Sequence, residues 1–399
     1  MFTTAINLSD LWPGDAMIVQ RAADDSIDWL PHSRAWRERS SASPLPLAGA
    51  LSIVCHEAAV PPAALQLLRD CGLRLPDDIL PYRNFDHMCG IIAEQVQRGR
   101  RIGITYTSRS PLAPVEAHIN RPDLVAHLND KANLASALPA EAVPERDIVE
   151  ICDLARVLER RRSELPLVLK ACSSLASGGG CDVVICRWPD DIEPACGKLA
   201  RAERVVVETY YEFTDTWCLH FALGERGVIY CGAAEQICDE RGQYHGNWCT
   251  PDESPGKLAI EIASHAAQFG WARAYRGFMG VDVGRTADRR CFAFDLNFRN
   301  NGSTIQVLLR NSIARAWGTA CTRICHGISF TGSFDAMLDQ LRAFHSRREL
   351  VPLLAFDTAQ LGTADAKPLC NFLVAGRDVP AANATVANMR SAGFDFDAA

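Results

Sequence analysis

Several absences narrow the reading before any motif is considered. No apolar run reaches the length of a membrane span, so a membrane-embedded chain is not expected. The N-terminus, MFTTAINLSDLWPGD, lacks a basic region followed by an apolar run, so no secretory signal is expected either. There are 16 cysteines but no CxxC pair, which removes the usual zinc framework. Cys321 and Cys325 come closest to a pair, and packing on a helix explains their spacing equally well. These features predict a cytoplasmic protein with reduced thiols. The net charge is −7, and the densest basic clusters, Arg160–Arg162 and Arg347–Arg348, read as solvated helix faces. No nucleic-acid partner is expected. GxxxxGK[ST], the phosphate loop of many nucleotide enzymes, does not occur, and there is no internal repeat.

What is present suits a multidomain α/β protein. The 399 residues are 48% hydrophobic, enough for two or three domains. Residues 1–50 give no clear pattern beyond a Ser/Pro-rich loop near their end. Strand, helix, helix, strand is predicted over Leu51–Cys55, Pro62–Cys71, Asp86–Arg98 and Ile102–Tyr106. Helices are predicted over Asp123–Leu138 and Glu145–Arg161, the latter from the spacing of Ile148, Ile151, Leu154, Ala155 and Leu158. A strand at Leu167–Leu169 runs into Lys170. A hairpin is predicted at Trp217–Leu223 and Gly227–Cys231, and a helix over Lys257–Phe269 closed by Gly270. A helix over Thr304–Trp317 and a small α/β unit from about residue 328 complete the chain.

One stretch concentrates the chemistry. In FDLNFR, Asp295, Asn297 and Arg299 alternate with Phe294, Leu296 and Phe298, so a strand would put the polar groups on one face and the apolar groups on the other. A second acid, Asp282, lies on the apolar run Phe278–Val283, and the turn-like Gly284–Arg290 separates the two runs. Paired as a hairpin, they would bring Asp282 close to Asp295 and Asn297. Two carboxylates and an amide oxygen suit Mg²⁺, a hard cation that shares its shell with phosphate. The same residues read equally well as a half-buried strand with a polar outer face.

Other features fall in a fixed order before it. They are Lys131; Lys170 with the small-residue loop Ser173–Gly180; then Glu208 with Asp215. If the ligand is ATP, each has a chemical reason. The two lysines offer charge to phosphates, and the loop, with Ser177, Gly178, Gly179 and Gly180, offers close backbone approach. Glu208 could accept from the adenine amino group, and Asp215 from ribose hydroxyls. Singly, each is also an ordinary surface lysine, loop or strand end.

In this order the residues resemble the ATP-grasp superfamily over about Asn129–Ser303. The likeness rests on VLK with its small-residue loop, VVVE with a later acid, and GVDV followed by FDLNFRNNGS. Two positions depart from the family pattern: Asp295 stands where glutamate is usual, and Phe298 where proline is common. The resemblance implies an α/β (α+β) ATP-grasp fold. A pre-ATP-grasp domain over 1–125, an ATP-grasp domain over 126–325 and a small C-terminal unit over 326–399 are expected. It implies ATP and Mg²⁺, with Lys131, Lys170, Ser177, Gly178, Gly179, Gly180, Glu208 and Asp215 toward nucleotide. Asp282, Asp295 and Asn297 are assigned to metal, and Lys170 and Arg299 to catalysis. The implied activity is a carboxylate–amine ligase working through an acylphosphate on small-molecule substrates. The flanking regions look like peptide ligases of natural-product or siderophore pathways. A homodimer is a further expectation for this size and class. A kinase or thiol ligase on the same fold, and a non-catalytic ATP-binding regulator, are the competing readings. His220 and His245 are expected to be structural.

Overall fold

Four parallel strands carry the N-terminal region of the computed structural model. The structure describes residues 1–20, 33–108, 111–172, 182–239, 242, 244–251, 254–319, 321–362 and 367–396. Strand β1 (Ala16–Val19) lies in the stretch that the sequence left unread. Helix α1 (Arg34–Ser40) is capped by the Ser33 side chain, which accepts from Trp36 N. Strand β2 (Ser52–His56), helix α2 (Pro62–Asp70), β3 (Ile79–Tyr82), α3 (Phe85–Gln97) and β4 (Arg101–Ile104) follow. The sheet order is β3-β2-β1-β4, all parallel, so its strands are apolar on both faces.

The next segment departs from the predicted helices. Helix α4 (Pro122–Asn129) stops where Asp130 turns extended and its side chain accepts from Ala132 N. A 3₁₀ turn, Lys131–Ser136, replaces the rest of the expected helix. The stretch Glu145–Arg161 is not one helix either. It begins as strand β5 (Arg146–Glu150) and becomes helix α5 only at Leu154–Arg160. Ile148 and Ala155 are exposed, so of the five residues that suggested a helical period only Leu154 and Leu158 are fully buried. Strands β6 (Leu167–Cys172) and β7 (Val183–Cys186), helix α6 (Ile192–Leu199) and β8 (Arg204–Thr209) complete an antiparallel sheet of order β5-β8-β6-β7.

A larger sheet forms the opposite wall. It begins with β9 (Asp215–Gly224), β10 (Gly227–Cys238) and β11 (Tyr244–Cys249). Helix α7 (Lys257–Ala272) leads to β12 (Gly277–Arg285) and β13 (Cys291–Asn297), and α8 (Thr304–Trp317) leads to β14 (Cys321–Phe330). Then come α9 (Phe334–Ser346), β15 (Leu350–Phe356), β16 (Leu369–Gly376), α10 (Val379–Ser391) and β17 (Phe394–Asp395). Among the described residues the order is β13-β12-β9-β10-β11-β14-β16-β15, with β17 on β14. The C-terminal strands therefore continue one sheet with the central ones. Cys321 and Cys325 lie on β14, a strand, rather than on a helix.

Gly270 does not close α7 but sits inside it. A Cβ there would lie 2.1 Å from the Phe298 ring, so close packing of helix on hairpin demands the glycine. Leu296 and Phe298 enter the core between α7 and the sheet, with Val281, Ala263 and Ala267.

Candidate active site

The hairpin β12–β13 forms as the alternation requires, with Asp282 directly opposite Asp295. Asn297 Nδ2 donates to Asp282 Oδ2 at 3.3 Å. Asp282 is 9% exposed, and its Oδ1 is buried without a hydrogen-bond partner. Burial first, and then the neighbouring Asp295 carboxylate, raise its pKa to about 7. Two acids that repel each other at a closed position, one with an orphaned oxygen, fit a divalent cation of oxygen preference. The Asn297 amide, donating through nitrogen, keeps its oxygen as a further donor to such an ion. Among the described residues no group of three or more His, Cys, Asp or Glu is placed to hold a metal ion, so the set here is two acids and an amide.

The strand alternation breaks at one residue. Pairing steps from Asp282–Asp295 to Val283–Ala293, leaving Phe294 as a bulge. Phe294 thus leaves the apolar face expected for it with Leu296 and Phe298. Its ring stacks on Phe213 at 5.6 Å, and its carbonyl accepts from Lys170 Nζ at 2.6 Å.

Lys170 on β6 reaches across from the smaller sheet. Its Nζ is 2.6 Å from Glu208 Oε2, and the other oxygen of Glu208 contacts Arg146. Lys170 and Glu208 are 4% and 2% exposed. Burial lowers the Lys170 pKa to about 7, with Arg146 and Lys131 pressing the same way against Asp295 and Asp182. Glu208 is therefore the anion of a buried triad. Lys131, in the 3₁₀ turn, lies 3.0 Å from Asp182 and 3.6 Å from Asp295. Burial would strip its proton, but the two carboxylates outweigh burial and raise its pKa. Lys131, Lys170, Asp282, Asp295 and Asn297 thus gather between the two sheets. Arg146 and Asp182 belong to the same cluster and were missed by the sequence reading, because pairing across β5–β8 and with the turn carries no local signature.

One assigned residue is held by other partners. Asp215, at the start of β9, is held by Arg285 at 3.0 Å and accepts from Trp217 Nε1 at 2.7 Å. Ser177, Gly178, Gly179 and Gly180 lie outside the described residues. Arg299 follows the hairpin and is 8% exposed. Its Nη1 donates to Asn129 Oδ1 at 2.8 Å, its guanidinium lies 5.1 Å from the Tyr106 ring, and its Nε has no partner. Asn300 accepts from Thr105 Oγ1 at 3.3 Å, so the end of β4 meets the loop after the β12–β13 hairpin. His220 is buried, with Ser303 Oγ at 2.9 Å from its Nε2. His245 is 3.6 Å from Asp239.

This arrangement, two antiparallel sheets with lysines and acids gathered between them, is that of an ATP-grasp ligase with an N-terminal domain. Residues 144–297 match the family described as L-aspartate--L-methionine ligase, ATP grasp, and residues 7–126 match the L-aspartate--L-methionine ligase N-terminal domain. The chain is an ATP-dependent carboxylate–amine ligase of this kind. Solved structures share the fold. An N5-carboxyaminoimidazole ribonucleotide synthetase in complex with ADP is 13% identical, with a TM-score of 0.57, over 98% of each chain. The Thermus thermophilus synthetase is also 13% identical, with a TM-score of 0.55, over 95% of this chain and 98% of that one. The biotin carboxylase domain dimer of Hydrogenobacter thermophilus 2-oxoglutarate carboxylase, crystallised with MgADP and bicarbonate, is 14% identical, with a TM-score of 0.56. It covers 95% of this chain and 91% of that one. Among the described residues no helix is long and apolar enough to cross a membrane.

Proposed function

We propose that the protein joins the carboxylate of one amino acid to the amine of another, with L-aspartate and L-methionine as the first pair to test. The facing carboxylates of Asp282 and Asp295, within reach of cations from the opposite sheet, are the observation that supports this most. A carboxylate oxygen of the substrate would attack the γ-phosphorus of ATP and release ADP. The amine would then attack the acyl carbon, lose a proton and expel phosphate. Lys131 and Lys170 are suited to binding phosphate oxygens, and Arg299 to holding the reacting carboxylate by its planar fork. Asp282, Asp295 and Asn297 would hold Mg²⁺, which supplies neutralisation of charge on the phosphates. Glu208 and Asp215 are assigned to adenine and ribose; Glu208 would give up Lys170 while keeping Arg146, and Asp215 would give up Arg285.

We further propose that residues 1–125, 126–325 and 326–399 act as N-terminal, ATP-binding and C-terminal units. A homodimer acting in the cytoplasm on a peptide building block of natural-product or siderophore type completes the reading. The test is ADP release with pairs of amino acids, with mass spectrometry of the product. An amide formed with stoichiometric ADP is expected. Nucleotide binding without ADP release under any pair would favour a regulator instead. Asp295→Ala should remove Mg²⁺-dependent turnover by at least about a hundredfold while the melting transition persists; full turnover in that variant would remove the metal assignment.

A further inference from the structure

Where α1 meets β14 and β16, Arg39 is 5% exposed. Its Nη1 donates to Asn371 Oδ1, and the same oxygen accepts from Gly327 N at 2.9 Å. The guanidinium lies against Gly327, where a Cβ would be 3.2 Å from Nη2 and 3.3 Å from Cζ. Gly327 also has φ +66°, so both the backbone and the cation exclude a side chain there. Arg39 Nε has no partner. Among the described residues no carboxylate offsets its charge. Burial lowers its pKa to about 10, opposed only by the Cys370 thiol. A guanidinium enclosed in this way, holding one neutral amide and no anion, is costly unless an anion arrives.

The neighbouring groups point the same way. His326 Nε2 and Ser329 Oγ are buried without partners. The pKa of His326 is lowered by burial and then by Arg39. His326 also touches the loop that follows the metal hairpin, since a Cβ on Gly302 would lie 3.0 Å from His326 Nε2 and 2.9 Å from Tyr244 Oη. Gly302 is three residues past Arg299. Unpartnered polar atoms therefore run from Arg39 Nε to His326 Nε2, whose ring also hydrogen-bonds the Gly302 backbone.

We propose that Arg39, its fork oriented by Asn371 and with His326 beside it, binds a substrate carboxylate that is not activated. This rests on the ligase reading above. An enzyme that couples amino acids meets more than one carboxylate, and only the one among the phosphates must react. The other needs a fixed, charge-complementary hold away from Lys131 and Lys170, and a planar guanidinium supplies two parallel N–H donors for it. Its source is either the α-carboxylate of the amine donor or a second carboxylate on the acid donor.

The experiment compares free acids with carboxamides in the full-length protein, with ATP and Mg²⁺. Replacing L-methionine by L-methioninamide tests the amine donor; replacing L-aspartate by its two monoamides tests the acid donor. In the wild type one of these replacements should raise KM at least about tenfold, as loss of a charge-assisted hydrogen bond does. Arg39→Gln should raise KM for the free acid by a similar factor and leave KM for the amide and for ATP unchanged, so discrimination collapses. Arg39→Lys should restore part of it. Should Arg39→Gln not fold, Asn371→Ala, which frees the fork, takes its place with the same expectation. Equal use of acids and amides by the wild type, or full discrimination in the variants, overturns the proposal. Absence of ADP release with any pair would sink the ligase reading instead. Calorimetry of L-methionine and L-aspartate on wild type and Arg39→Gln then decides the site separately, and equal affinities would overturn it.

Discussion

The Lys170 ammonium and the Glu208 carboxylate lie 2.6 Å apart in a closed interior, with Arg146 on the carboxylate's other side. Two groups proposed to meet the nucleotide are thus engaged with each other. On that proposal ATP binding would exchange partners, with phosphate taking Lys170 and Arg146 keeping Glu208 neutralised.

Lys170→Met tests this exchange. Nucleotide affinity should fall by at least about tenfold, the equivalent of about 1.4 kcal/mol. Glu208 keeps Arg146, so the stability loss should be smaller than the roughly 3–5 kcal/mol of a carboxylate left wholly alone. Calorimetric titration with ADP and a thermal melt read the two effects; an unchanged affinity would count against the phosphate role.

Stabilisation by Mg²⁺ should depend on pH in a definite direction. The folded-state pKa of Asp282 is raised to about 7, so its proton competes with a cation below that value. Without metal, the folded state binds more protons than the unfolded one between about pH 4 and 7, so Asp282 costs stability as pH rises through that window. Added Mg²⁺ should therefore raise Tm more at pH 8 than at pH 5.5. A shift independent of pH would exclude Asp282 as a ligand.

Gly270→Ala should damage the site from behind. The added methyl would meet the Phe298 ring at 2.1 Å, and Phe298 adjoins Asn297. Overpacking of this sort costs about 1–3 kcal/mol. A lower Tm accompanied by weaker Mg²⁺–ATP affinity is expected; a lower Tm with unaltered affinity would show that the hairpin moves as a rigid unit.

His220 should make the fold acid-sensitive. Burial lowers its pKa from 6.5 to about 3. Between those values the unfolded state takes the proton and the folded state does not, so stability falls as pH drops below about 6.5. His220→Gln should flatten the dependence of Tm on pH over 6.5–4 by about one proton. An unchanged slope would mean that His220 already titrates normally.

Local pattern determined the metal hairpin. Period-two alternation and the intervening turn were enough to face Asp282 with Asp295, because strand geometry is set by adjacent residues. The helix over Thr304–Trp317 was legible for the same reason. What only the tertiary structure decided were contacts between distant segments. The bulge at Phe294 turned a core residue toward Lys170. Arg146 and Asp182 joined the cluster through pairing with Glu208 and Lys131. Arg39 became a buried cation with no anion among the described residues because β14 and β16 close over it. A charge reads as solvated in sequence unless the partners that will desolvate it are known, and those lie hundreds of residues away.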